Sequence, residues 1–198
     1  SAWLVVLVGL LVFVTCGSFI YYNTNVENKF LTDFKAEEQA ANYEKKYKKY
    51  EHLPQPKITD VVVNVDIFPY TRALHTSGSF VMKNKSGRAI DSVQVNIPSR
   101  MKINTIGFSR PSSLVLDDED YVYRIYKLSQ PLQPGDTISL FFNLDFATKG
   151  FKHDFEGLGT PLNNGTFVNN TSFLPAIGYN KEEEMSDNTR RKKHGLGY

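Results

Sequence analysis

The four histidines are the residues best placed by type to support metal or acid-base chemistry. A zinc peptidase of the HExxH type needs two histidines one helical turn apart and a glutamate as base, because tetrahedral zinc requires converging nitrogen ligands. None of the four has these neighbours; they are His52, His75, His153 and His194. The group His153-Asp154-Phe155-Glu156 comes nearest. Its Gly- and Asn-rich surroundings favour a solvated loop over a metal site.

Other catalytic patterns are also missing from the sequence. It contains no nucleophile elbow, no phosphate-binding GxxxxGKS/T loop and no DxDxDG calcium loop. The single cysteine, Cys16, lies in an apolar run, so the remainder of the chain can form neither a disulfide nor a thiolate metal site. We therefore predict no catalytic, cofactor or metal-ligating residue in this chain, and its enzymatic status stays open.

Charge also limits the choice of partners. Lys and Arg number 23, Asp and Glu 21, and the net charge is +2. A nucleic-acid-binding domain usually carries a strongly basic stripe. We expect no nucleic-acid partner.

An uncharged run from Ala2 to Tyr22 opens the chain, which begins at Ser1 rather than Met and is expected to be part of a longer protein. As a helix the run spans about 31 Å, the thickness of a bilayer core. Aromatic residues at both ends fit membrane-interface anchors, namely Trp3, Tyr21 and Tyr22. We predict a transmembrane helix over residues 1–22, with the lipid bilayer as partner.

Two alternatives to a span fit less well. A signal-peptide core is usually shorter than this run and ends at a small-residue cleavage site. In a lipoprotein signal the cysteine would end the apolar run, but here the run continues past Cys16. The orientation of the span stays open. The basic residues downstream of it favour a cytoplasmic location for that side, but their main cluster, Lys45 to Lys49, starts more than 20 residues beyond the span, where the positive-inside rule weakens.

Residues 23–54 are predicted to form an amphipathic linker helix. The stretch from Val26 to Glu51 has no Gly or Pro, and its aromatic residues recur at helical spacing. Glutamates alternate with lysines on the other faces, which favours a solvated stalk with ion pairs between neighbouring turns. A helix lying on the lipid surface is the alternative. Pro54 and Pro56 end the helix.

Residues 55–150 alternate between apolar and polar side chains, which predicts strands. Seven short strands separated by turn signals favour an antiparallel β-sandwich or a saddle-shaped sheet, so the fold class is mainly β. The expected strands are Ile58–Phe68, Leu74–Lys83, Ile90–Ile97, Met101–Phe108, Ser113–Leu116, Tyr121–Leu128 and Ile138–Phe146. Gly78 is expected to mark a bulge or a close approach of two backbones.

Residues 151–198 are predicted to contain a long loop, a strand-like piece from Ser172 to Gly178 and a capped helix. Asn180 can cap that helix, and Glu183 completes a capping box. The basic run from Arg190 to Lys193 then lies near the negative end of the helix, before Gly195 as the C-terminal cap. A basic recognition patch is the alternative interpretation of this run.

The order of these features resembles a bacterial fusion family in which an ABC-type permease is joined to an aminopeptidase N-like zinc metallopeptidase. The resemblance rests on four stretches: Pro56-Lys57-Ile58-Thr59-Asp60, Leu132-Gln133-Pro134-Gly135-Asp136, Gly165-Thr166-Phe167 and Phe173-Leu174-Pro175-Ala176-Ile177-Gly178-Tyr179. It implies that the chain holds the last permease helix, a linker and the β domain that precedes the catalytic domain.

By this resemblance, a downstream catalytic domain and upstream permease helices of the same chain are the expected partners. Zinc, its two histidines, the catalytic glutamate and a Gly-x-Met-x-Asn loop would belong to the downstream domain. The β domain would be extracytoplasmic at the cell (inner) membrane, and Tyr179 and Asn180 would be candidates for a wall of the substrate cleft.

The leading hypothesis is thus a non-catalytic, membrane-tethered N-terminal domain of a metallopeptidase. The alternative is a stand-alone membrane-anchored binding or adhesion module whose sheet recognises a polypeptide or a glycan. A third hypothesis makes the domain the external part of a transporter.

Overall fold

The computed structural model describes residues 2–27, 32–148, 161–163 and 165–197. Helix α1, Ala2–Tyr21, contains the apolar run, and a π-helical segment, Tyr22–Val26, continues it. Together they are long and apolar enough to cross a membrane, and none of the span is buried against the rest of the protein. Length and composition therefore make α1 a candidate membrane anchor.

The linker contains a shorter helix than its pattern predicts. Helix α2 runs over Asp33–Tyr47, followed by a 3₁₀ turn at Lys48–Tyr50. Thr32 begins the helix, because its side chain accepts a hydrogen bond from the Lys35 amide. The predicted solvated stalk is wrong: one face of α2 is buried against the β domain, through Ala41, Tyr43, Glu44 and Tyr47.

In the part of the chain that the structure describes, eight strands form two four-stranded antiparallel sheets, so the predicted antiparallel sandwich is confirmed. The first sheet has the order β1-β2-β7-β4 and the second the order β5-β6-β3-β8. The strands are β1 Lys57–Phe68, β2 Ala73–Lys83, β3 Ile90–Asn96, β4 Lys102–Phe108, β5 Ser112–Asp118, β6 Tyr123–Leu132, β7 Thr137–Ala147 and β8 Ala176–Ile177.

The main hydrophobic core is formed by side chains from both sheets. On β7 alternate residues are buried, because side chains of a strand point to opposite faces in turn. Leu140 and Leu144 of β7 and Val93 and Val95 of β3 are fully shielded from solvent. Helix α2 packs on the outside of this sandwich, against Tyr123 and Ile125.

Strand β1 lies at the edge of the first sheet and is less buried than its pattern suggests. Val61 pairs with the buried Phe80 but is 53% exposed, and only Val63 of this strand packs against the core. The close approach predicted at Gly78 is confirmed, since a Cβ there would lie 2.1 Å from the Val62 carbonyl oxygen. The register shift in this pair lies elsewhere, between Ile58 and Asp60.

The single helix predicted after Asn180 is broken into two short pieces. Lys181–Glu183 forms one 3₁₀ turn, and helix α3 covers only Asn188–Lys193. Met185 is buried between them, and Asp187 caps α3 by accepting from the Arg190 amide. Gly195 ends α3 with a φ of +71°, as expected of a C-terminal cap.

Candidate functional site

Six tyrosines from three parts of the chain meet beside the second sheet and form a second hydrophobic cluster. We call this cluster the tyrosine junction; its members are Tyr43, Tyr47, Tyr50, Tyr121, Tyr123 and Tyr179. Helix α2 and the turn after it supply three of them, β6 and the turn before it supply two, and the segment after β8 supplies one. The junction therefore joins the elements that precede and follow the sandwich in sequence.

Ring contacts hold the junction together. Tyr43 stacks on Tyr179 with 5.3 Å between ring centroids and 18° between ring planes. Tyr47 packs on Tyr123 at 4.3 Å. Both distances lie in or near the range in which aromatic pairs attract each other beyond simple burial.

Three tyrosines of the junction, Tyr47, Tyr50 and Tyr123, are hydrogen-bonded to the sandwich. The Tyr123 hydroxyl donates to Oε1 of Gln94 on β3 at 2.7 Å, and Nε2 of Gln94 donates to the Tyr50 carbonyl at 3.3 Å. The Tyr47 hydroxyl donates to the Asp118 carboxylate, which also forms an ion pair with Lys46. These bonds fix how α2 is rotated on the sheet.

One buried ion pair links α2 to α3. Nη1 and Nη2 of Arg191 donate to the two carboxylate oxygens of Glu44 at 2.8 and 2.7 Å. Arg191 also donates to the carbonyls of Met185 and Gly197, each at 2.8 Å. Lys48 donates to Glu44 at 2.8 Å. The pair is bidentate and well satisfied, the geometry that makes a buried charge tolerable.

The environment shifts the pKa values of the junction in directions that match these contacts. Burial raises the pKa of the Tyr43 phenol to about 12 and also raises that of Tyr123. Burial acts to raise the pKa of Glu44, but the hydrogen bonds from Arg191 and Lys48 outweigh it and lower the pKa. Near neutral pH Tyr43 and Tyr123 are thus neutral and Glu44 is charged.

The two predicted cleft residues both lie at the junction. Tyr179 is half-buried under Tyr43, and the backbone N–H of Asn180 donates to the Tyr43 hydroxyl at 3.1 Å. The Asn180 side chain accepts from the Glu182 amide, so the predicted cap is present at a 3₁₀ turn. These contacts give both residues a structural role, and a role in binding substrate stays a prediction.

The predicted membrane-interface residues lie at the two ends of α1 and its extension. Trp3, Tyr21 and Tyr22 are 84%, 64% and 51% exposed. Trp3 and Tyr21 are separated by about 27 Å along the helix axis, at 1.5 Å per residue. This separation fits aromatic side chains at opposite surfaces of a bilayer core.

Within the described part of the chain, histidines, cysteine and carboxylates form no group of three that could hold a metal ion. His75 contacts Asp145, with 2.6 Å between Nδ1 and Oδ1. The group His153-Asp154-Phe155-Glu156 lies outside the described residues. The described residues do not fit a zinc ion, and we assign no zinc chemistry to them.

The outer face of the first sheet carries a polar row across its four strands. Asp66 of β1 opposes His75 of β2, which opposes Asp145 of β7, which opposes Lys102 of β4. Asn104 donates to Asp145 at 2.6 Å. This polar row could offer both donors and acceptors to a polar ligand.

Sequence reasoning missed the tyrosine junction and the Glu44–Arg191 pair. From the sequence alone, the helical spacing of Tyr43 and Tyr47 gives a moderate apolar stripe, interpreted as part of a solvated stalk. Arg191 stands in a run of four basic residues, and nothing in that run distinguishes it. Arg191 is the residue of this run that is buried, and its guanidinium lies against Glu44.

Comparisons with known proteins gave fold-level similarity only. No family model matches the chain, and no curated protein matches it. Among solved structures, it is similar to the M1 zinc metallopeptidase from Deinococcus radiodurans at 10% identity and a TM-score of 0.38, covering 47% of this chain and 21% of that one. A two-domain M1 zinc metallopeptidase mutant bound to L-arginine gives 11% identity, a TM-score of 0.37, and 50% and 22% coverage. This chain thus spans about a fifth of the length of these proteins.

Proposed function

We propose that the chain is a non-catalytic β domain, tethered to the membrane by α1, that belongs to an aminopeptidase N-like zinc metallopeptidase fused to an ABC-type permease. The observation that carries the proposal is the position of α2. This helix is the next one along the chain after the apolar segment, and it is packed both on the second sheet and on the segment from Tyr179 to Arg191. Through these contacts the domain would fix the orientation of the segment from Tyr179 to Arg191 relative to the membrane helix.

One of the four stretches that carry the family resemblance, Phe173 to Tyr179, supports this role. Ala176 and Ile177 form β8, which pairs with Asn96 and Val95 of β3. Tyr179 then enters the junction and stacks on α2. The same residues therefore close the second sheet and attach the end of the β domain to the linker.

Membrane tethering is supported by the length of α1 and its aromatic ends. We place the span in the cell (inner) membrane and the β domain on the extracytoplasmic side, as the family resemblance implies. Upstream permease helices and a downstream catalytic domain are its proposed partners, and zinc is assigned to the downstream domain. Half-buried Tyr179 and Asn180 would contribute their accessible edges to a wall of the substrate cleft.

Metal content and peptidase activity test the non-catalytic role. The full chain, purified in detergent, is expected to bind no stoichiometric zinc and to release no product from aminoacyl reporter substrates. Zinc-dependent cleavage by this chain would contradict the proposal. The coding sequence beyond Tyr198 tests the rest: an HExxH motif with a second glutamate on a following helix is expected, and an immediate stop codon would contradict it.

A second candidate function is a membrane-anchored binding module. The polar row of Asp66, His75, Asp145 and Lys102 on the open face of the first sheet favours it. Binding of the full chain to a panel of immobilised glycans and peptides tests this function. Binding that is lost in Asp145→Ala but kept in Asp91→Ala, a matched exposed carboxylate of the other sheet, would support it.

A further inference from the structure

Exposed basic side chains gather where α3 packs along the first turns of α2. They are Lys35 on α2 and Arg190, Lys192 and Lys193 on α3. Nζ of Lys193 lies 5.7 Å from the ring centroid of Phe34, and Nη1 of Arg190 lies 3.0 Å from Oε1 of Glu37. These contacts place α3 beside the start of α2. We call the four basic residues together with Phe34 the basic collar.

The basic collar belongs to the part of the domain that the chain holds closest to α1. The helical run ends at Val26, and Thr32 begins α2 six residues later. Six residues extend at most about 20 Å. The collar is therefore tethered within a short distance of the surface at which a membrane-spanning α1 would emerge.

Opposite charges reduce the net charge of the collar but do not cancel its lysines. Glu37 is engaged by Arg190 and lies 3.8 Å from Nε2 of His194. Asp33 and Glu38 are the exposed acidic side chains on the same turns of α2. Lys192 and Lys193 project from α3, where Arg191 has turned inward to Glu44. Both lysines are exposed and can meet an external anion.

We propose that the basic collar binds the phosphate groups of anionic lipids in the membrane that α1 spans. Lysines near an anionic bilayer surface are attracted at short range, and each contributes measurably to binding. Phe34 is 59% exposed and adds an apolar side chain of the type that enters the lipid interface. Docking would orient α2 and the sandwich relative to the membrane. The inference rests on the proposed tethering by α1.

Energy transfer between the collar and labelled lipids tests the proposal. The full chain carries Cys16→Ala and Thr189→Cys, and a donor fluorophore is attached to the new cysteine. It is reconstituted into phosphatidylcholine vesicles that contain acceptor-labelled lipid, with and without phosphatidylglycerol. Transfer is expected to rise with phosphatidylglycerol and to fall at high salt. Lys192→Gln and Lys193→Gln should each lower the ratio of docked to undocked protein about fivefold.

Matched variants and a flotation assay separate the possible outcomes. Lys83→Gln and Lys127→Gln remove exposed lysines of the sandwich and should leave transfer unchanged. Chain that does not float with the vesicles would contradict the tethering itself. Chain that floats but shows the same transfer with and without phosphatidylglycerol would overturn the collar alone. An equal loss in the Lys83 and Lys127 variants would also overturn it, since general charge would then explain the effect.

Discussion

The guanidinium of Arg191 donates two hydrogen bonds to the carboxylate of Glu44, across 147 residues of sequence. Their side chains are only 10% and 4% exposed. Glu44 stands on the helix that enters the β domain and Arg191 on the helix that leaves it. This buried pair joins the two ends of the domain directly.

Replacing Arg191 with Met is expected to destabilise the domain, because it leaves Glu44 charged and poorly compensated. The expected loss is about 2–3 kcal/mol in the free energy of unfolding, less than for a fully isolated buried charge since Lys48 remains near Glu44. Urea unfolding measures it. Arg190→Gln is the control: it removes an adjacent but exposed ion pair with Glu37 and should change stability by about 0–1 kcal/mol. Equal effects of the two variants would contradict a special role for Arg191.

Acid is expected to weaken the attachment of α2. Burial acts to raise the pKa of Glu44, but hydrogen bonds from Arg191 and Lys48 outweigh it and lower this pKa. Burial likewise acts to raise the pKa of Asp118, and hydrogen bonds from Lys46 and Tyr47 lower it. A carboxyl whose pKa is lowered by folding stabilises the fold above its unfolded value, which is 4.5 for Glu44 and 3.8 for Asp118. That stability is lost as the pH falls through the lowered pKa.

Unfolding midpoints recorded from neutral pH to about pH 3 check this linkage. The wild-type midpoint should fall below about pH 4.5. Glu44→Gln should start from a lower midpoint at neutral pH and lose less on acidification. A variant with the wild-type slope would show that Glu44 does not carry the effect.

Tyr123 is expected to be the most sensitive ring of the junction, because it is fully buried and bonded to Gln94. Tyr123→Ala should lower the free energy of unfolding by about 3–5 kcal/mol through the cavity it leaves. Tyr123→Phe should lower it by about 1–3 kcal/mol, since Oε1 of Gln94 loses its donor. Thermal unfolding measures both. Tyr70→Phe, on a ring that is 90% exposed, should stay within about 0.5 kcal/mol.

Gly78→Ala is expected to disturb the first sheet, because a Cβ at this position would lie 2.1 Å from the Val62 carbonyl oxygen. Backbone atoms cannot move aside cheaply, so the expected loss is about 1–3 kcal/mol or more. Gly107→Ala is the matched control in the same sheet, where a Cβ would meet nothing within 4 Å. Chemical unfolding of the two variants should therefore differ, and equal stability would refute the close approach.

The strands were the part of the fold that the sequence predicted best. The alternation of Val61, Val63 and Val65 and turns such as Pro134-Gly135-Asp136 placed seven strands within a few residues of their observed bounds. The alternation of apolar and polar residues along a strand shows which side chains share a face of the sheet. It does not show how much of that face is covered by other parts of the protein. The exposure of Val61 on the edge strand β1 was therefore not foreseen.

The candidate site could not be predicted from the sequence, because it is formed by contacts between segments that are distant along the chain. The alternation of glutamates and lysines on α2 favoured a solvated stalk over a lipid-surface helix, whereas the contacts with Tyr123 and Tyr179 bury the tyrosine stripe against the β domain. The helix predicted after Asn180 is interrupted because Met185 is buried and Asp187 starts a new helix. Local capping signals could not show this tertiary preference.

Amide hydrogen exchange on the full chain in lipid nanodiscs tests the central claim most directly. If α1 spans the bilayer and α2 is packed between the second sheet and the segment from Tyr179 to Arg191, amides of Ala2–Tyr21 and Asp33–Tyr47 should both be strongly protected. In Arg191→Met, protection should fall in α2 and persist in α1. Rapid exchange throughout α2 in the unaltered chain would show a solvated stalk and contradict the account.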